Sequence, residues 1–341
     1  MRQKNISSVD VARLAGVSRT TVSFVLNNTP GKSVSEETRR KVLKAAEELQ
    51  YVPNEYARQL AMVRHMSVGL FVCHTHSVFS DAYIIRLIEG MSQTLNRNRF
   101  RLTIVPLRLD ETDYIEIARR NGVDGVILIN THEQDPGIPE LEKAEFPLVV
   151  IGSAASEETY RVDIDNRVAA RKTVEYLISM GHTDIGMITH ALPVYSAAIE
   201  RLAGFRDALT AAGLPVREDW IRNGDFTEQS GYRAMQELLA LSGRPTAVYA
   251  ARDMIAYGAI NAVRDAGLSV PDDISIIGFD DDYLSRYLNP PLTTMSLPAA
   301  SIGAQAAELM IARLASGTLP VKRRILLPTH LSRRCSVRKL S

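Results

Sequence analysis

The sequence predicts an all-α helix-turn-helix headpiece followed by a much larger α/β core of parallel, doubly wound sheets, and three observations predict it. Two short amphipathic stretches, "SVDVARLA" and "RTTVSFVL", meet at Gly16 near the N-terminus. A basic surplus is confined to that end: through Arg64 the chain holds eleven Lys/Arg against six Asp/Glu, whereas the remainder holds 29 against 33. From Met66 onward, short apolar runs alternate with longer segments of helical spacing, the rhythm of buried parallel strands and crossover helices.

With 341 residues and 45% apolar composition, the chain is long enough for two or three packed domains. The opening "MRQKNISSVD" has no apolar signal core, and no run approaches the roughly 18 to 20 apolar residues of a spanning helix. A cytoplasmic protein with no membrane partner is the expectation. Cys73 and Cys335 alone build neither a disulfide framework nor a thiol metal cluster. His74, His76, His132 and His190 fall in no metal-ligand spacing, so neither metal nor cofactor is expected. The chain contains no G-x-S-x-G, G-x-x-x-x-G-K-[ST] or H-E-x-x-H, and the acidic trio Asp280, Asp281 and Asp282 has no histidine neighbours, all of which argues against an enzyme. The basic N-terminal unit points to a polyanionic partner; a solvated surface is the alternative.

Each headpiece element has a local cause. Ser7 stands three residues before Asp10, a capping-box spacing, and Val9, Val11, Ala12 and Leu14 supply an apolar stripe for a first helix. Gly16 ends it with the left-handed conformation a sharp reversal needs, and Ser18 caps a second helix from Arg19. There Val22, Val25 and Leu26 face inward, while Arg19, Thr20, Ser23 and Phe24 lie on or near the outer side, which would enter a major groove. Arg19 and Thr20, at the helix start, are placed to touch base edges, and Arg offers guanine a bidentate fork. Thr21, Ser23 and Asn27 suit phosphate contacts. In "SEETRRKVLKAAEELQY", Ser35 caps a third helix whose buried side is Val42, Leu43, Ala46 and Leu49.

The segments "DVARLAGVSRTTVSFVLN", "VSEETRRKVLKAAEELQYVPN" and "ARQLA" closely resemble the lac repressor and galactose repressor family of bacterial transcription regulators. That resemblance implies a partner, pseudo-palindromic double-stranded operator DNA, contacted by Ser18, Arg19, Thr20, Thr21, Ser23, Phe24 and Asn27. It also implies a hinge helix whose Asn54, Ala57 and Leu60 reach DNA, Leu60 wedging into a minor-groove base step. Phe24 departs from the polar reader many relatives carry, which points to an apolar contact such as a thymine methyl. The resulting domains are a headpiece over 1–52, hinge helix and linker over 53–64, and an effector-binding and dimerisation core over 65–341.

In the core, "VGLFV", "RLTIV", "GVILI", "PLVVIG", "IGMIT", "AVYAA" and "ISIIGF" read as buried strands, and ligands of such sheets sit beyond strand carboxyl ends. The family resemblance extends through "GVDGVIL", "ERLAGFRDAL", "RDMIAYGAINAVRDAGLSVPDDISIIGFDD" and "NPPLTTM". It implies a two-lobed, periplasmic-binding-protein-like core, with lobe one about 66–162 and 292–322 and lobe two about 163–291 and 323–341. By similarity, Arg201, Asp253 and Asp280 bind a small effector and Phe226 walls its ring face; a surface ion pair for Arg201 and a helix cap for Asp280 are the bland alternatives. Phe79, Ser80 and Asp81 are first-lobe candidates, and His190, directly after "IGMIT", faces the cleft. Asp165 is either a cleft residue or a cap. A hydroxyl-binding set with one aromatic wall favours a sugar over a purine. The alternatives are a purine or other metabolite as co-repressor, or a solute-binding protein that does not bind DNA. A homodimer is implied by the family, the tail "LPTHLSRRCSVRKLS" carries no leucine heptads, and Arg333, Arg334, Arg338 and Lys339 read as a solvated end.

Overall fold

The computed structural model describes residues 7–26, 34–49, 51, 67–73, 78–132, 134–154, 156–315 and 322–340. The chain divides into two compact units at His65 and Met66. In the first unit, α1 (Ser8–Ala15), α2 (Arg19–Leu26) and α3 (Glu36–Glu48) enclose a core of Val11, Ala12, Val22, Val25, Val42, Ala45 and Ala46. The Asp10 carboxylate accepts from the Ser7 amide at 2.9 Å and hydroxyl at 2.6 Å, and Gly16 turns the chain at φ 65°. Three expected core positions are half exposed instead: Val9, Leu14 and Leu43. At 100° per residue, the inward stripe of α1 runs through Val11, Ala12 and Ala15, with Val9 and Leu14 on its two flanks. On α3, Val42 is followed inward by Ala45 and Ala46, and Leu43 lies a quarter turn away.

The second unit contains two six-stranded sheets. One orders β11 (Arg324–Leu326), β5 (Arg161–Asp163), β4 (Leu148–Ile151), β3 (Gly125–Ile129), β1 (Ser67–Cys73) and β2 (Arg101–Leu107), all parallel. The other orders β12 (His330–Ser332), β10 (Thr293–Ser296), β9 (Ser275–Asp280), β8 (Ala247–Ala250), β6 (Ile185–Thr189) and β7 (Ile221–Asn223), with only β12 antiparallel. Every residue of β1, β3, β4, β6, β8 and β9 is buried, because helices cover both faces; that is why those strands read as unbroken apolar runs. The covering helices are α4 (Ala82–Arg97), α5 (Tyr114–Asn121), α6 (Gly137–Lys143), α7 (Asn166–Ser179), α8 (Ser196–Ala211), α9 (Glu228–Leu239), α10 (Asp253–Asp265) and α11 (Ala299–Ala315). Asp165 caps α7, its carboxylate accepting from the Val168 amide at 2.9 Å. No described helix is long and apolar enough to cross a membrane.

Strand pairing moves two expected lobe boundaries. Thr293–Ser296 belongs to the second lobe, where it pairs with Ile277–Asp280, and Arg324–Leu326 belongs to the first, where it pairs with Arg161–Asp163. The chain therefore passes between lobes after Asp163, near Leu297 and Pro298, and between Leu327 and His330. Buried Thr293 and Thr294 hid the first of these strands from an apolar count, and a three-residue strand carries no readable period. The tail is not a loose end either. Arg334 donates to Asp281 at 2.6 Å and to the Leu292 carbonyl at 2.7 Å, and buried Ser336 accepts from the Thr293 amide while donating to the Ile276 carbonyl. Arg333 lies over the ring of Tyr176 at 5.2 Å.

Candidate functional site

The headpiece presents α2 as its polar face. The Ser18 hydroxyl accepts from the Thr21 amide at 3.1 Å and lies 2.8 Å from the Thr21 hydroxyl, so both side chains help to start the helix. Val22 and Val25 anchor the opposite side in the core. Arg19, Thr20 and Ser23 are exposed, and Thr21 and Phe24 are half-buried. Asn27, Asn54, Ala57 and Leu60 lie outside the described residues.

The core carries a cleft of about 550 Å³, counted to its open mouth, at the carboxyl ends of both sheets. Asn130 and Thr131 reach it from the end of β3, Asp163 from β5, His190 from β6, Arg252 from β8 and Asp280 from β9. Tyr83 of α4, Asn166 of α7, and Tyr195, Ser196 and Arg201 at or on α8 complete the walls with Phe226. Arg201 is buried and rigidly aimed. Its Nε donates to the Asn166 side-chain oxygen at 2.9 Å, its Nη1 to the Ala251 carbonyl at 2.7 Å, and its guanidinium lies 3.9 Å from the Phe279 ring centre. The rings of Tyr195 and Phe226 meet edge to face at 5.0 Å, and His190 meets Phe226 at 5.6 Å. Phe226 and Asp280 hold positive φ, 71° and 130°, conformations that cost a non-glycine residue energy and gather at sites where side-chain aim matters.

Burial sets the protonation of this cleft. It pushes the Asp280 carboxyl up to about 7 despite the neighbouring Arg252 and Arg201, and does the same to Asp163, also to about 7, despite the Ile164 amide on its oxygen. Burial, then the same two arginines, holds His190 well below its usual value, so its imidazole is neutral at pH 7. Burial also opposes the charge of Arg252, but Asp81 and Asp280 hold its pKa above the usual range. The side-chain atoms Asn130 Nδ2, Thr131 Oγ1 and His190 Nδ1 are buried with no hydrogen-bond partner among the described residues, and all three residues border the cleft. Neutral imidazole, amide, hydroxyl, carboxylate and guanidinium around aromatic rings suit a small polar molecule with an apolar face.

The description "Bacterial regulatory proteins, lacI family" matches residues 9–54, and "Periplasmic binding protein-like domain" matches residues 174–337. The probable HTH-type transcriptional repressor ExuR of Bacillus subtilis (strain 168) is 33% identical over 334 residues, covering 97% of this chain and 98% of the relative. This chain belongs to the lacI family of bacterial regulatory proteins. Among solved structures of similar chains, the complex of transcriptional regulator CelR with cellobiose is 33% identical, with a TM-score of 0.74 over 97% of this chain and 99% of that one. The lac repressor dimer bound to operator and the anti-inducer ONPF is 28% identical, with a TM-score of 0.85 over 98% of this chain and 100% of that one. The family and two-part architecture read from the sequence agree with these likenesses.

Within this lacI-family core, Arg201, Phe226, Asp280 and His190 all line the same cleft. Asp253 does not join them. It is the first residue of α10 and turns behind the strand, where its carboxylate accepts from Thr294 at 2.6 Å, Ser285 at 2.5 Å and the Asp282 amide at 2.8 Å. It has no solvent exposure, and its role is to tie β10 to the turn that follows β9. The strand-end side chain that enters the cleft is its neighbour Arg252, one residue earlier. Phe79 is 66% exposed and not in the wall, and Asp81 lies behind the wall, paired with Arg252. Sequence reading also missed Tyr83, Asn130 and Tyr195. Asn130 was findable, since it directly follows the run "GVILI"; Tyr83 and Tyr195 carry no local signal.

Proposed function

We propose that this chain is an operator-binding transcriptional repressor that works as a homodimer, its DNA affinity governed by a small polyhydroxyl effector, a sugar, in the interlobe cleft. The observation that carries the reading is the pairing, in one chain, of a capped helix with an exposed polar face and a two-lobed cleft lined by fixed hydrogen-bonding groups and rings. Likeness to the operator-bound lac repressor dimer supports DNA and self-association, and likeness to the CelR–cellobiose complex supports a sugar. Exposed Tyr283, Leu284 and Tyr287 form an apolar patch suited to a second copy. Phe226 is not a lone aromatic wall, because Tyr83 and Tyr195 stand beside it. Preference for a sugar rests instead on the neutral and charged hydrogen-bonding set around those rings.

In this reading Arg19 and Thr20 read base edges and Ser18, Thr21, Ser23 and Phe24 support them, two headpieces engaging half-sites about 34 to 36 Å apart. The effector acts by preferring one lobe arrangement over another, and only that difference in affinity moves DNA occupancy. The protein binds and does not turn over its ligand. A thermal-shift screen of monosaccharides, disaccharides and purines tests the effector, since a ligand at 100 times its Kd adds about 2.7 kcal/mol. Stabilisation by a sugar that also changes retention on genomic operator fragments is the expected result. Stabilisation by purines alone overturns the sugar assignment, and no retention of any genomic fragment by the full-length protein overturns the repressor.

A further inference from the structure

Arg252 leaves the end of β8 in the second lobe, and its guanidinium crosses to the first. Nη1 and Nη2 grip the two Asp81 oxygens, each at 2.9 Å, while Nε holds Asp280 of its own lobe at 3.1 Å. All three side chains are more than nine-tenths buried. Tyr83 from the first lobe and Phe226 from the second flank the guanidinium, with ring centres at 5.4 and 5.6 Å. The backbone beneath it is fixed, because adjacent Asp253 is tied to three partners. Only a planar fork serves this arrangement: it engages one carboxylate with two parallel N–H groups and keeps a third for another carboxylate, which an ammonium cannot do in one orientation.

We propose that Arg252 is a positioning residue that links the separation of the two lobes to the state of Asp280. A ligand hydroxyl on Asp280 then acts on the same guanidinium that holds Asp81, so occupancy of one wall is felt as closure across the cleft. The ligand half rests on the effector reading above; the link between Asp280 and closure does not. Other ties across the cleft among the described residues include single hydrogen bonds, Arg86 Nη1 to the Asp281 carbonyl at 3.0 Å and the Ser153 hydroxyl to Glu200 at 2.8 Å, and the bridge between His132 and Tyr195, whose rings meet edge to face at 5.6 Å; none of them engages Asp280. Losing Arg252 leaves Asp81 a buried carboxylate without its cation, relieved when the lobes part and water enters.

The test is a spin-label distance measurement on the full chain without ligand, diluted with unlabelled protein. Labels go on exposed Arg120→Cys in the first lobe and Gln236→Cys in the second, with exposed Cys335→Ser removed and buried Cys73 retained. The parent is expected to give a narrow distribution. Arg252→Met and Asp81→Asn are expected to shift it to longer, broader distances, the double variant no further than either, and Arg252→Lys not to restore it. Asp280→Asn, a change on Arg252's own lobe, is expected to move it as well. A distribution unchanged in Arg252→Met, even with a lower Tm, makes the triad a plain core ion pair and overturns the proposal, as does an unchanged one in Asp280→Asn. Should Arg252→Met fail to fold, the near-isosteric Asp81→Asn decides in its place.

Discussion

Asp163 keeps its proton to about pH 7 in the folded cleft, although the same side chain in an unfolded chain releases it near pH 4. Between those values the native state binds more protons than the unfolded one. The contribution to stability is therefore complete below about pH 4, declines as pH rises toward 7, and is gone above it. Asp163→Asn is expected to flatten the stability profile between pH 5 and 7, by up to about 1.4 kcal/mol per pH unit. Urea unfolding at three pH values checks this, and a slope equal to the parent's would mean that Asp163 is ionised throughout. On α2 the corresponding single-residue question is Arg19, exposed at the helix start. Arg19→Ala is expected to cost about 1 to 3 kcal/mol on the specific operator and much less on random DNA. Equal losses on both, measured by anisotropy at one salt concentration, would reassign Arg19 to the phosphates.

Helices α4 and α11 approach so closely that each places a glycine against the other's backbone. A Cβ on Gly90 would run into the Ala300 carbonyl oxygen, and one on Gly303 into that of Leu87. Gly303→Ala is expected to destabilise the core by about 1 to 3 kcal/mol, since backbone cannot yield as a flexible side chain does. A lowered urea midpoint with unchanged slope is the signature; an unchanged midpoint would show that the pair can slide apart. Elements of this length were legible because their signals are local. Ser7 with Asp10, Ser35 before "EETRR" and Asp165 before α7 mark helix starts within four residues, and β1, β3 and β6 announce themselves as apolar runs. Arg252 against Asp253 shows where such reading ends. Which of two adjacent polar residues enters the cleft depends on where β8 stops and α10 begins, a one-residue boundary that no apolar count resolves.

At the scale of the whole molecule, the partner-facing prediction concerns Tyr283 and Tyr287, 62% and 65% exposed with ring centres 5.1 Å apart. Tyr287→Asp is expected to convert a dimer to a monomer in sedimentation velocity and to weaken operator binding with it, because a lone headpiece engages one half-site. A variant that stays dimeric would exclude this patch as the interface. The parallel α/β sheets were legible from the repeated strand and helix rhythm and the two lobes from the family resemblance, but the short strands that return at the end of the chain, Thr293–Ser296, Arg324–Leu326 and His330–Ser332, were not, being too brief or too polar to stand out. Those three strands have a consequence for descent. Because the chain passes from lobe to lobe three times, neither lobe is one continuous stretch of gene. A single crossover at a lobe boundary therefore leaves at least one sheet mixed, joining β11 or β12 of one parent to strands built by the other. Altering the cleft without mixing the sheets is therefore a matter of substitution in place at the strand ends, not of exchanging halves.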